Sequence, residues 1–216
     1  VTVSEKPTLV TTVSHTESCQ DEGNVTVGFT ATGVAPFTVN YTFNGTALTA
    51  TLQLHSFTMP FPATAAGDYT LTLVSITDAN GCTEDLTQTH ELTIFEKPTA
   101  TIAATPTQVC EDADAPVVTF TAEGGEAPYV FHYTLNGATQ TLNSASATAS
   151  ISIPTATAGD TVVVLTGIDD ANCSNTASGT VTITVSEKPT LALAVTPTVA
   201  CEDAAEVTAT FTATGV

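Results

Sequence analysis

Five cysteines are the residues best suited to chemistry in this chain, and they fall on a fixed beat. Cys19, Cys110 and Cys201 stand 91 residues apart, and so do Cys82 and Cys173. Two cysteines per period at constant spacing suit disulfides formed in an oxidising location. A zinc or redox centre would need clustered ligands, yet no Cys-x-x-Cys occurs and no histidine lies at ligand spacing. The four histidines do not recur in register: His15 corresponds to Pro106, His55 to Ala147, His90 to Val181, and His132 to Asn40. That marks them as surface or packing residues. There is no nucleophile motif, phosphate loop or usefully spaced carboxylate pair, so no catalytic residue is assigned and no enzyme activity is expected.

Carboxylates are the second chemical resource. The recurring ones are Glu5/Glu96/Glu187, Asp21/Asp112/Asp203, Asp68/Asp160 and Asp78/Asp170. Such oxygens can hold calcium, pair with lysine or stay solvated, and no EF-hand loop favours the first use. Twenty-two acids face three lysines and no arginine, a net charge of −19. A surface of that sign repels nucleic acid and anionic membranes, whose phosphates need Lys and Arg. Each lysine precedes a proline, as Lys6-Pro7, Lys97-Pro98 and Lys188-Pro189. Proteases that cut after lysine are blocked by that proline.

The elements carrying these residues repeat with them. Val3-Ser-Glu-Lys-Pro-Thr8 returns as Ile94-Phe-Glu-Lys-Pro-Thr99 and as Val185-Ser-Glu-Lys-Pro-Thr190, again at 91 residues. A period of that length indicates tandem whole domains rather than a solenoid. The expected divisions are 1–4 as the end of a preceding repeat, 5–95 and 96–186 as full repeats, and 187–216 as the start of a truncated one. The two full repeats each carry nine acids and one lysine. Period-two alternation dominates: Phe37, Val39, Tyr41 and Phe43 share one face, matched after one inserted residue near Gly124-Gly125 by Tyr129, Phe131, Tyr133 and Leu135. Asn44-Gly45 and Asn136-Gly137 then predict hairpin turns. Six or seven short strands per repeat, rich in Thr and Val, predict an all-β fold of antiparallel sandwiches.

Cys-Glu-Asp, then Phe-Thr-Ala, then Ala-Pro-Tyr/Phe, then Asp-Ala-Asn-(Gly)-Cys resembles the PKD-like and immunoglobulin-like repeats of giant bacterial cell-surface adhesins. Such repeats occur in gliding bacteria that export surface proteins through the type IX system. The resemblance implies an extracellular, non-enzymatic stalk or adhesive filament at the cell surface.

Immunoglobulin topology bears on the cysteines. It puts the loop of Cys19 and the loop of Cys82 at opposite ends of one sandwich, roughly 25 Å apart, whereas a disulfide needs Cα atoms within about 7 Å. End-to-end stacking would instead bring Cys19 to Cys173, and Cys110 to a cysteine of a further repeat. This inter-domain pairing is favoured; Cys19 with Cys82 and Cys110 with Cys173 is the alternative. The same stacking brings Asp21, Glu96 and Asp170 towards one junction as a calcium site, with salt bridges from Lys6, Lys97 and Lys188 as the competing use.

The functional expectation is a stiff, protease-resistant structural segment. Its partners are neighbouring repeats of the same chain and other copies in a fibre, with no cofactor except calcium if the junction holds it. Rival roles are a glycan- or protein-binding repeat array and a spacer within a secreted enzyme.

Overall fold

Alternating apolar residues and paired turn residues build two compact units, seen in a computed structural model that describes residues 3–196, 198–202 and 206–215. The first unit comprises Val1–Pro98 with the short segments Gly124–Glu126 and Asp170–Ser174; the second holds Thr99–Glu123, Ala127–Asp169 and Asn175–Val216. Thus two loops that the 91-residue period assigns to the second repeat are packed within the first unit. Residues 1 and 2, within the expected end of a preceding repeat, and Asp203 lie outside the described residues. Val3 and Ser4 are in no strand.

The first unit has nine strands among the described residues: β1 (Thr8–Val13), β2 (Glu17–Cys19), β3 (Asn24–Thr32), β4 (Phe37–Phe43), β5 (Thr46–Leu52), β6 (Ser56–Pro62), β7 (Gly67–Thr77), β8 (Thr83–Asp85) and β9 (Thr89–Phe95). They form a sheet β1-β3-β6 and a sheet β2-β9-β7-β4-β5, with β8 paired to β7. In β3 the period of two sends Val25, Val27, Phe29 and Ala31 inward. Val27, Phe29 and Ala31 meet Phe37 and Val39 of β4 and Leu71 and Leu73 of β7, so the core lies between the two sheets, while Val25 packs with Ala63, Leu92 and Ile94.

The second unit repeats this plan with β10 (Thr99–Thr105), β11 (Gln108–Cys110), β12 (Val117–Glu123), β13 (Tyr129–Leu135), β14 (Ala138–Ser144), β15 (Thr148–Ser152), β16 (Gly159–Asp169) and β17 (Ser174–Ser186). Its sheets are β10-β12-β15 and β11-β17-β16-β13-β14. Phe120, Phe131, Val163, Leu165 and Ile183 fill its core. A further antiparallel pair, β18 (Thr190–Thr196) and β19 (Thr208–Thr214), is exposed along its length; Leu191 and Phe211 keep 68% and 65% of their surface in solvent.

Both expected hairpin turns are present. Asn44 and Gly45 have φ of 48° and 76°, and Asn136 and Gly137 have 48° and 84°, the paired positive values of a type I′ turn. Each Asn also accepts a backbone N–H from the start of a later strand, Thr70 for Asn44 and Val162 for Asn136, both at 2.8 Å.

Nine and eight strands exceed the six or seven expected. The three-residue β2 and β11 run parallel to β9 and β17. They are too short to show a period, and their partners lie far along the chain. β5 and β14 are almost wholly exposed and carry little inward apolar pattern. Antiparallel pairing to β4 and β13 orders them.

Candidate functional site

β2 fixes the first cysteine. Its parallel register sets Glu17 opposite Thr93, Ser18 opposite Ile94 and Cys19 opposite Phe95, at the threshold of the Glu96-Lys97-Pro98 linker. A tight turn follows. Gln20 N–H donates to the Phe95 carbonyl at 2.9 Å, Asp21 N–H to Ala63 at 2.8 Å, and Glu22 N–H to Cys19 at 3.2 Å. Asp21 takes a left-handed φ of 59° there, and its repeat mate Asp112 takes 57°. Asp tolerates this region better than most residues.

The other cysteine sits on a loop organised by one carboxylate. Oδ1 of Asp170 accepts the backbone N–H groups of Asn172, at 2.7 Å, and Cys173, at 2.5 Å. Oδ2 accepts Glu126 N–H at 2.9 Å, and Ala171 N–H donates to the Glu126 carbonyl at 2.9 Å. Gly125 makes that approach feasible. It has a φ of 66°, and a Cβ there would collide with Asp170 Oδ2. It belongs to the Gly124-Gly125 pair, near which the second repeat carries one inserted residue.

Cys19 and Cys173 are joined by a disulfide with a Cα–Cα separation of 5.8 Å, across 154 residues of sequence. Both are buried, at 7% and 4% exposure. The bond leaves Cys82, Cys110 and Cys201 as thiols, Cys82 half-buried and the other two exposed. Neither Cys19–Cys82 nor Cys110–Cys173 is formed.

The calcium expectation at Asp21, Glu96 and Asp170 needs correction. Among the described residues no three His, Cys, Asp or Glu side chains gather where they could hold a metal ion. Asp170 commits both oxygens to backbone N–H groups, and the Glu96 carboxylate lies against Gly124 instead. The linker lysines pair with acids individually. Lys97 meets Glu22 at 3.3 Å, Lys188 meets Asp112 at 2.7 Å, and Lys6 meets Glu84 at 2.8 Å. The hydrogen bond to Glu84 and its negative charge hold the Lys6 ammonium above the ordinary lysine range. Pro7 and Pro98 are buried and Pro189 is exposed.

The first repeat shows what the glycine pair does. Asp78 matches Asp170, and its Oδ1 accepts the N–H groups of Asn80 and Cys82 at 2.9 Å each. Without an extra glycine, Asp78 Oδ2 is buried with no hydrogen-bond partner. Opposite effects of one substitution are therefore expected. Asp170→Asn sets an amide NH₂ against a backbone N–H in either orientation and should cost about 1–3 kcal/mol. Asp78→Asn places its NH₂ where no donor opposes it and removes a poorly compensated buried charge, so it should be neutral or stabilising by about 1 kcal/mol. Urea denaturation midpoints of the two variants provide the check.

Residues 7–90 match a family model described as nucleoporin pom152-like, ninth immunoglobulin-like domain. The units are immunoglobulin-like β-sandwiches. Among solved structures, the chain is similar to fibronectin(III)-like modules of Clostridium thermocellum CbhA, at 16% identity over 82% of this chain and 95% of that one, with a TM-score of 0.39. It is also similar to a 1.5-MDa bacterial ice-binding adhesin, at 16% identity over 89% and 71%, TM-score 0.39. A marsupial T cell receptor shares 10% identity over 88% and 77%, TM-score 0.49. No curated protein matches the chain.

Proposed function

We propose that the chain is a non-enzymatic, load-bearing segment of a long extracellular adhesin or filament of the kind exported by gliding bacteria. Consecutive immunoglobulin-like repeats supply length, and neighbouring repeats are the primary partners. The observation that carries this reading is the Cys19–Cys173 disulfide, which ties a turn of the first 91-residue period to a loop of the second. A buried disulfide also suits an oxidising compartment. The same offset pairs Cys110 with a cysteine of a following repeat. A charge of −19 keeps such arrays apart in solution. The linker pairs, Lys97 with Glu22 and Lys188 with Asp112, hold the turn that follows each first cysteine. They are surface pairs, each contributing about 0–1 kcal/mol.

Peptide mapping under non-reducing conditions tests the lock. A linked Cys19–Cys173 peptide is expected, and free thiols at both positions would remove the basis of the proposal. Protease resistance has its own check. Trypsin should leave even the unfolded, reduced chain intact, since every lysine precedes proline. Pro98→Ala should open one cleavage after Lys97, giving two fragments on a gel.

A further inference from the structure

The two units differ at one corner of the sandwich. In the first, the end of β4, the end of β6 and the start of β7 are packed by three rings. Phe43 lies 5.0 Å from Phe61 and stacks on Tyr69 at 5.5 Å, centroid to centroid. The Tyr69 hydroxyl donates to the Ala65 carbonyl at 2.9 Å. Strand register identifies the counterparts in the second unit. Leu135 pairs with Val163 as Phe43 pairs with Leu71, so Leu135 matches Phe43 and Thr161 matches Tyr69. The same 92-residue offset sets Ile153 for Phe61 and Thr157 for Ala65. Every ring at this corner has become aliphatic or a threonine.

The space the rings would occupy stays open. A solvent-open cleft of roughly 440 Å³ is lined by Tyr133, Leu135, Ile153, Pro154, Thr157 and Thr161, among others. None of its lining residues is charged, in a chain with 22 acids. A volume of several hundred Å³ is usual for a small-ligand pocket, and here Asn136, Ser152, Thr157 and Thr161 stand among the apolar lining residues.

We propose that this cavity of the second unit binds a neutral phenolic ring. The ring would replace the missing Tyr69 equivalent, stacking among Tyr133, Leu135 and Ile153. Its hydroxyl would donate to the backbone carbonyl of Thr157, as Tyr69 does to Ala65. A small free phenol and the tyrosine side chain of a partner protein share this chemistry. The lack of charge at the cavity excludes a requirement for an ionic ligand, and the first unit already carries its own ring. This inference does not depend on the load-bearing role.

The test is a titration of the whole chain, methyl-labelled at Ile and Leu, with p-cresol and with toluene. The Leu135, Ile151 and Ile153 methyl signals should move with a dissociation constant on the order of 1 mM. Toluene, lacking the hydroxyl, should bind about three- to tenfold more weakly. Thr161→Tyr should fill the cavity and weaken p-cresol binding at least about tenfold. Should that variant misfold, the converse Tyr69→Thr should create p-cresol binding in the first unit. A blocked Gly-Tyr-Gly peptide distinguishes the sources. Binding of both probes supports a partner's tyrosine, whereas binding of p-cresol alone supports a small phenol. The proposal is overturned if those methyls stay still up to about 20 mM p-cresol, or if toluene binds as tightly.

Discussion

Stretched between its two ends, the oxidised protein is expected to release roughly 500 Å less chain than the reduced protein. The disulfide spans 154 residues, and an extended chain covers at most about 3.3–3.6 Å per residue. Load entering at the first residue passes along the first unit to Cys19, crosses the sulfur bridge to Cys173 and leaves through the last segment. Residues 20–172, the greater part of both units, lie in the covalent loop between those points and are shielded from force. Single-molecule force spectroscopy with and without reductant measures this directly. Equal contour lengths under both conditions would show that the bridge bears no load, and the mechanical proposal would then lose its main support. For the stalk proposed above, the consequence is an extension limit set by covalent bonds rather than by sandwich stability.

Phe120→Ala should destabilise the second unit by about 3–5 kcal/mol, the range for removing a fully buried Phe. Phe120 has no exposed surface and packs its ring 5.5 Å from Phe131 and 5.0 Å from Tyr133. Removing it opens a void at the meeting point of both sheets. The first unit has its own core around Phe29 and Phe37, so its melting transition should stay in place while that of the second falls. Phe57→Ala is a matched control. Phe57 is 38% exposed on an edge strand, and the second repeat carries Ala149 at the equivalent position. That loss should stay below about 1 kcal/mol. Calorimetry resolving the two transitions separates these outcomes; a shared drop in both after Phe120→Ala would mean the units do not melt independently.

Local pattern determined much of this protein. Alternation in Phe37–Phe43 and Tyr129–Leu135 reports burial on one face of a strand, a property each residue carries wherever its partners lie. Asn-Gly pairs report positive φ, which is a backbone preference and needs no tertiary context. The 91-residue period reports domain repetition, since copies of a sequence fold alike.

Other features depended on residues distant in sequence and were decided only in the folded chain. Sequence spacing left two cysteine pairings open, because the choice rests on which Cα atoms approach within bonding distance. End-to-end stacking grouped Asp21, Glu96 and Asp170 at one junction, for calcium or for lysine salt bridges, whereas the folded loop spends Asp170 on three backbone N–H groups. An inserted residue near Gly124-Gly125 was visible, but the role of Gly125 emerged only with Asp170 Oδ2 at the place of its absent side chain. The corner cavity was equally hidden. Leu135, Ile153 and Thr161 are unremarkable strand residues one by one. Strand register aligns them with Phe43, Phe61 and Tyr69, and only packing volume shows that three rings have been lost from one place.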